Sequence, residues 1–405
     1  MAVLKYERFI VKMSFEQKLK LITSTEFYKS SPVDGYGIPV FDIQKKPYTE
    51  ECKGLHVTHF PNDAALAAAC SPALTEEVYA AIGQEAHAVN SFAYFNTSND
   101  IKEEGITSDY FMLSKFLAAK AAGLRRGNGY VNFTDVPADD AAEALKRRTV
   151  RDTVLTDGKP DSVILSDVEE LETARRRFKY NDMVYGVVSS VEEALDFLYS
   201  GASFLFLAED IFDPLLNKLK TLTNAYKEAH ARYVNDKMSE SSFARLIRNF
   251  KIFNPEIIDK ACDDIINVVF SMQSAKDDKT AGFRSLKKGE SSAFDEINHN
   301  KLALIAARQS AVLLKNDGNI LPIDRSVKLA VMGECANDLK YGREYYNTQA
   351  TYERLAFNAI NDYELNTTGF ASGYAKGERS RSDLIDHAVS LCAQSDCVLM
   401  YLSAG

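Results

Sequence analysis

Tryptophan is absent from all 405 residues, so a ligand stacked on an aromatic ring would have to rest on tyrosine or phenylalanine. The six cysteines (Cys52, Cys70, Cys262, Cys335, Cys392 and Cys397) form no CxxC pair and no zinc-ligand spacing, which argues against structural zinc or a redox dithiol. Scattered thiols fit a reducing, cytoplasmic compartment. No run approaches the ~20 apolar residues needed to span a bilayer. The first 15 residues carry Lys5, Glu7, Arg8 and Lys12 and no apolar stretch, so no signal peptide is expected there. Long basic clusters are missing as well. The densest, Lys146-Arg147-Arg148 and Arg175-Arg176-Arg177, sit in helical patterns and read as solvated helix faces. With a net charge of −9, nucleic acid and anionic membrane are excluded as expected partners, because either needs a concentrated basic face.

What is present is ordinary globular composition, 46% hydrophobic and 26% charged, which suffices for a full core. The length predicts two or three domains. Short apolar runs alternate with longer helical patterns, the signature of βα units on a parallel sheet. The runs at 38–43, 91–97, 130–136, 162–166, 183–189 and 203–208 are nearly continuous in apolar character, as strands covered on both faces should be. Helices are expected at 64–69 and 73–88, then at 109–125, 139–154, 168–178 and 191–199. In the last, Val191, Ala194, Leu195 and Leu198 recur at helical spacing before Gly201. Six βα units in roughly 210 residues fall short of a full eight-unit barrel. Residues 213–273 read as helical throughout, 274–292 as a polar connector, and 299–310 as a helix. Strands at 311–314, 328–332 and 398–402 and a helix at 382–394 then suggest a second α/β domain. So few strands leave an open edge: either the sequence is cut there or a partner, a second copy or another protein, covers it.

One stretch names a family. His299 to Ser310 leads into Ala311-Val312-Leu313-Leu314-Lys315-Asn316-Asp317-Gly318 and Ile320-Leu321-Pro322-Ile323. This resembles the "VLLKNDG…LPL" segment joining the two domains of glycoside hydrolase family 3, the β-glucosidase-type enzymes. Asp-Gly turn chemistry explains single residues of it, not the whole string. Ser14-Phe15-Glu16-Gln17-Lys18, Phe60-Pro61-Asn62-Asp63-Ala64-Ala65-Leu66 and Arg148-Thr149-Val150-Arg151-Asp152 are similar to further family segments. The resemblance implies an α/β chain with a shortened (β/α) TIM-barrel-like domain at 1–275, a linker at 276–297 and part of an α/β sandwich at 298–405. The implied activity is hydrolysis of O-glycosyl bonds with a sugar as ligand and no cofactor or metal.

Such enzymes are retaining: one carboxylate attacks the anomeric carbon, and a second carboxyl, ~5–5.5 Å away, protonates the leaving oxygen. The family's nucleophile follows a "V-V-S-D-W" strand. Two strand ends compete for that position, Asp167 after 162–166 and Ser190 after 183–189, and the flanking segments favour Ser190. A serine there has no evident base to activate it. Asp167 has a plain alternative, capping the helix that begins at once. The family's "K-H-F" falls at Val131-Asn132-Phe133 and its "A-G-L-D" acid at Phe204. Asn132 and the strand-end acids Glu209 and Asp210 are the remaining candidates for holding substrate, although Glu209 and Asp210, with no partner ligand in view, read first as a solvated turn. His56 and His59 lack a third ligand nearby and read as a surface pair, not a metal site. The expectation is therefore a protein of carbohydrate metabolism with an impaired site, or a non-catalytic homologue that binds a sugar or a protein.

Overall fold

The computed structural model describes residues 4–26, 29–33, 35–38, 40, 56–89, 94–249, 252–277, 295–337, 349–350, 355–373 and 381–402. The chain divides into two compact units, one of residues 1–51 and 62–294, the other of 52–61 and 295–405.

The first unit is built on a parallel sheet of six strands: β1 (Thr23–Ser24), β2 (Tyr94–Ser98), β3 (Tyr130–Thr134), β4 (Ser162–Leu165), β5 (Met183–Val188) and β6 (Phe204–Leu207). Their order across the sheet is β1-β6-β5-β4-β3-β2. Five strands fall on runs read from sequence. The sixth run, 38–43, lies mostly outside the described residues; Ile38 makes only an isolated antiparallel bridge with Val33. Sequence reasoning missed β1, which is too short to show a pattern. It pairs Thr23 with Leu205 and Ser24 with Phe206, setting the first strand of this sheet in chain order beside its last, the arrangement found where a (β/α) cylinder closes. Among the described residues β1 and β2 are not paired.

The alternation of each strand divides the sheet into two faces. One carries Val131, Phe133, Val163, Leu165, Val184 and Leu205, all buried, against the surrounding helices. Gly186 belongs to this face: a Cβ there would meet the Phe197 ring at 2.7 Å, so its lack of a side chain lets helix Val191–Tyr199 seat. The other face is polar towards β2 and aromatic towards β6. Asn132 donates to Asn96 (2.6 Å) and Ser162 donates to Asn132 (2.8 Å). Tyr185 meets Phe204 edge-on at 6.1 Å, and Phe204 meets Phe206 at 5.2 Å.

The helices begin where short polar side chains can satisfy their first amides. Ser14 and Gln17 form a reciprocal capping box on Phe15–Leu21; Asn62, Asp109 and Asp140 cap later helices. Pro72, which lies just before the helix expected at 73–88, is the first residue of helix Pro72–Val89, where its missing amide costs nothing. This helix crosses Tyr110–Arg126 through Gly83, Gly123 and Gly127. Helices Phe212–Asn235, Glu240–Asn249 and Glu256–Asp277 complete the unit. The first two are joined by rings of their own: Tyr233 stacks on Phe243 at 4.6 Å, with His230 edge-on to Phe243 at 5.7 Å.

In the second unit, β7 (Leu329–Met332), β8 (Thr367–Ala371) and β9 (Cys397–Met400) form a parallel sheet in the order β8-β7-β9. Leu329 and Val331 pack with Ile360 on one face; Ala330 and Met332 pack with Leu391 on the other, so helices cover both sides. The expected strand at 311–314 does not form. These residues carry no regular structure, and Leu314 is 91% exposed. An apolar run becomes a strand only where a neighbour takes its backbone hydrogen bonds, and no described strand lies beside this one.

The glycine crossing gives a direct test. A Cβ on Gly123 would press into the Glu76 carbonyl oxygen and lie 3.0 Å from Cβ of Tyr79. Because backbone must move to relieve this, Gly123→Ala is expected to cost about 1–3 kcal/mol of stability, measured by urea denaturation. An unchanged midpoint would show that the two helices can separate freely.

Candidate functional site

In a parallel α/β sheet, side chains for chemistry gather where strands end and the next helix begins. Both residues competing for the nucleophile position lie at such junctions, and both are helix N-caps. Asp167 is exposed, and its carboxylate accepts from the Glu169 amide at 2.8 Å. Ser190 lies just after β5, the strand beside β6, and its hydroxyl accepts from the Glu193 amide at 3.2 Å. Glu193, three residues on, is turned to Ser189, accepting from its amide at 2.8 Å and its hydroxyl at 2.9 Å. These donors hold its carboxyl below the usual range. Glu193 is thus already engaged with Ser189 and is not hydrogen-bonded to the Ser190 hydroxyl as a base would need to be.

The other candidates are dispersed. Asn132 is fully buried in mid-strand, with its amide shared between Asn96 and Thr134 and its oxygen taken by Ser162. Glu209 and Asp210 lie on an exposed turn after β6, Asp210 with φ +66°. Among the described residues no group of three His, Cys, Asp or Glu side chains could hold a metal ion.

The strongest electrostatic feature near the strand ends was not singled out from sequence. Arg151, 2% exposed, is ion-paired with Glu170, with Asp152 at 2.8 Å and with Asp135 at 3.4 Å. Asp135 follows β3 and also accepts from the Asn99 side chain; Asn99 in turn accepts from the Val136 amide at 2.7 Å. One turn earlier Arg147, 5% exposed, holds Glu143 at 2.8 Å and donates to the carbonyls of Val136 and Pro137. The solvated-face reading of the basic run is therefore corrected for Arg147, while Arg148 stays exposed. Arg175 of the second run likewise donates to the carbonyls of Tyr180, Asp182 and Gly201. The buried Val150 and Val154 share the helix face of Arg147 and Arg151, and that spacing was the available signal. Chemically the cluster is closed: its carboxylates face guanidinium and amide donors.

Burial dominates at Asp135 and lifts its carboxyl to about 6, against the opposing pull of Arg151.

No protein-family model matches the chain. Thermostable β-glucosidase B of Acetivibrio thermocellus is 22% identical over 375 residues, covering 83% of this chain and 45% of that protein. Probable β-D-xylosidase 6 of Arabidopsis thaliana is 30% identical over 105 residues, 25% of this chain and 13% of that one. Among solved structures, the glycoside hydrolase family 3 β-glucosidase of Bifidobacterium adolescentis superposes with a TM-score of 0.65 at 17% identity, over 99% of this chain and 58% of that one. A β-glucosidase from Listeria innocua gives 0.59 at 12% identity, over 99% and 63%. The chain resembles β-glucosidase-type proteins of glycoside hydrolase family 3 and shares the α/β fold of those structures, and it spans about half the length of the relatives it matches. No helix among the described residues is long and apolar enough to cross a membrane.

A folded-state carboxyl raised above its unfolded value means that the folded protein binds this proton more readily. Stability from this group is then fully present below pH ~4 and lost as pH rises through about 6. Asp135→Asn is expected to remove that loss, so that its stability relative to wild type rises between pH 4 and 6.5 in urea titrations. A difference independent of pH would show an ordinary carboxyl.

Proposed function

We propose that this chain is a β-glucosidase-lineage protein of carbohydrate metabolism that recognises a β-linked gluco- or xylo-configured sugar and no longer turns it over efficiently. The observation that carries the reading is the use made of the two strand ends: Ser190 and Asp167 both serve as helix caps. At Ser190 the side chain is a hydroxyl, with Glu193 turned to Ser189 instead; at Asp167 the carboxylate is exposed and turned to the Glu169 amide. The adjacency of β5 and β6 supports Ser190 as the residue standing where the family's nucleophile belongs. The resemblance to β-glucosidases and a β-xylosidase supports the sugar class. The free thiols of Cys70, Cys262, Cys335, Cys392 and Cys397 support a reducing, cytoplasmic setting.

The test is a panel of p-nitrophenyl β-glycosides. Loss of one catalytic group removes about 10²–10⁴ in rate, so turnover at least that far below an ordinary glycosidase is expected, and Asp167→Asn should leave the residual rate unchanged. Ordinary turnover, abolished by Asp167→Asn, would identify Asp167 as the nucleophile and overturn the proposal.

A further inference from the structure

The opposite end of the sheet, where the strands begin, holds cavities that no catalytic role explains. A cavity of about 500 Å³ is lined by Arg125, Arg126, Asn128, Gly129, Tyr130 and Asp161. A second, of about 270 Å³, shares Tyr130 and Asp161 with it as a common wall. Together they fall within the size of small-molecule sites, about 300–1,000 Å³. The walls come from rigid parts: the last turn of helix Tyr110–Arg126, the residues leading into β3, β4 and β5, and helix Glu256–Asp277.

The lining fits a particular kind of guest. Donors come from Arg125, Arg126 and Asn128 on one side and from Asn181 and Asn267 on the other. Acceptors come from Asp161, Asp182 and Asp264. Two guanidinium groups against three carboxylates leave little net charge, so neither a phosphate nor a cation is favoured by sign. Arg125 already neutralises Asp161 at 3.2 Å, and Arg126 is paired with Glu76 at 2.7 Å. The wholly apolar side chains at the walls are Met183 and Val268, with the Tyr130 ring between them and the polar groups, an amphipathic lining that disfavours a wholly apolar ligand. Planar donors and acceptors interleaved beside a tyrosine ring match a neutral ligand with vicinal hydroxyls. The tyrosine hydroxyl is turned inward, 3.5 Å from that of Tyr185, which leaves its ring to form the wall. Asp161 is fixed by the Val131 amide at 2.8 Å, and Gly129 lets the backbone at the cavity wall pack against the Phe95 ring, which a Cβ would meet at 2.8 Å.

We propose that these joined cavities form a second, non-catalytic saccharide site at the amino-terminal end of the sheet, taking two or more units of a neutral oligosaccharide. It does not rest on any activity at the strand carboxyl ends, the face where such folds carry their chemistry.

Binding of cellotetraose and xylotetraose to the full chain would be measured by calorimetry and saturation-transfer NMR. The variants are Arg126→Ala and the double change Asn181→Ala with Asp182→Ala. All three side chains are exposed, and an exposed pair such as Arg126 with Glu76 contributes little to stability, so the variants should fold, as circular dichroism will verify. Each is expected to weaken binding at least tenfold, while Asp167→Asn and Ser190→Asp leave it unchanged. Three outcomes overturn the site: no binding of either sugar, binding indifferent to the Arg126 and Asn181/Asp182 changes, or binding that follows the Asp167 and Ser190 changes. The last would place the sugar at the opposite rim and leave the proposed function standing.

Discussion

Each turn from strand to helix must find partners for the first amides of the helix, which have none within it. At the carboxyl ends of β4 and β5 that requirement is met by Asp167 and Ser190. In the function proposed above these are also the two positions that compete for the reactive oxygen of a retaining glycosidase, so on that reading the demands of folding and of chemistry fall on the same side chains. A carboxylate can cap a helix and still attack an anomeric carbon, but a hydroxyl without a base can only cap. If Ser190 stands where the family's nucleophile belongs, as proposed, serine there keeps the fold and gives up the charge, because serine and aspartate cap about equally well.

Around these turns the charged side chains are spent on one another. Arg151 gathers Asp135, Asp152 and Glu170 from three successive parts of the chain, and Arg147 ties Glu143 to the backbone after β3. Buried pairs of this kind repay their desolvation only when the hydrogen bonding is complete. Here every carboxylate has at least one donor. Their role is to fix the register of helix Ala141–Thr153 against the sheet. The raised Asp135 carboxyl marks the remaining cost, since four charges share a space that water hardly reaches.

How much of this was legible in the sequence follows from the range of the interactions. Strands β2 to β6 were visible because both faces of a parallel sheet are covered, so apolar residues run on without alternation. The cap at Asp167 was visible because capping is local. Strand β1 was not, since two residues carry no period and its place is decided by Leu205 and Phe206, far along the chain. The run Val312-Leu313-Leu314 misled because its apolar character is real while its pairing partner is not among the described strands. Arg147 was read as solvated because three basic residues in a row suggest a wet surface. Its burial depends on Val136, Pro137 and Glu143, and only the last is a helical neighbour.

The two ends of the sheet differ in what their polar groups have left to give. At the carboxyl end, Asn99, Asp135, Arg147, Arg151 and Glu193 all hold internal bonds, and a ligand would have to break these, each at roughly 1–3 kcal/mol if a buried partner is left unsatisfied. At the amino end, Arg126 and Asp182 are solvated, and Asn128 and Asn181 stand at the wall of open cavities. These groups exchange water for ligand at small cost. On the proposals made above, a fold whose carboxyl-end rim is engaged in internal bonds has its readiest binding capacity where its strands begin, and selection on binding could act there without disturbing the caps that hold the other end together.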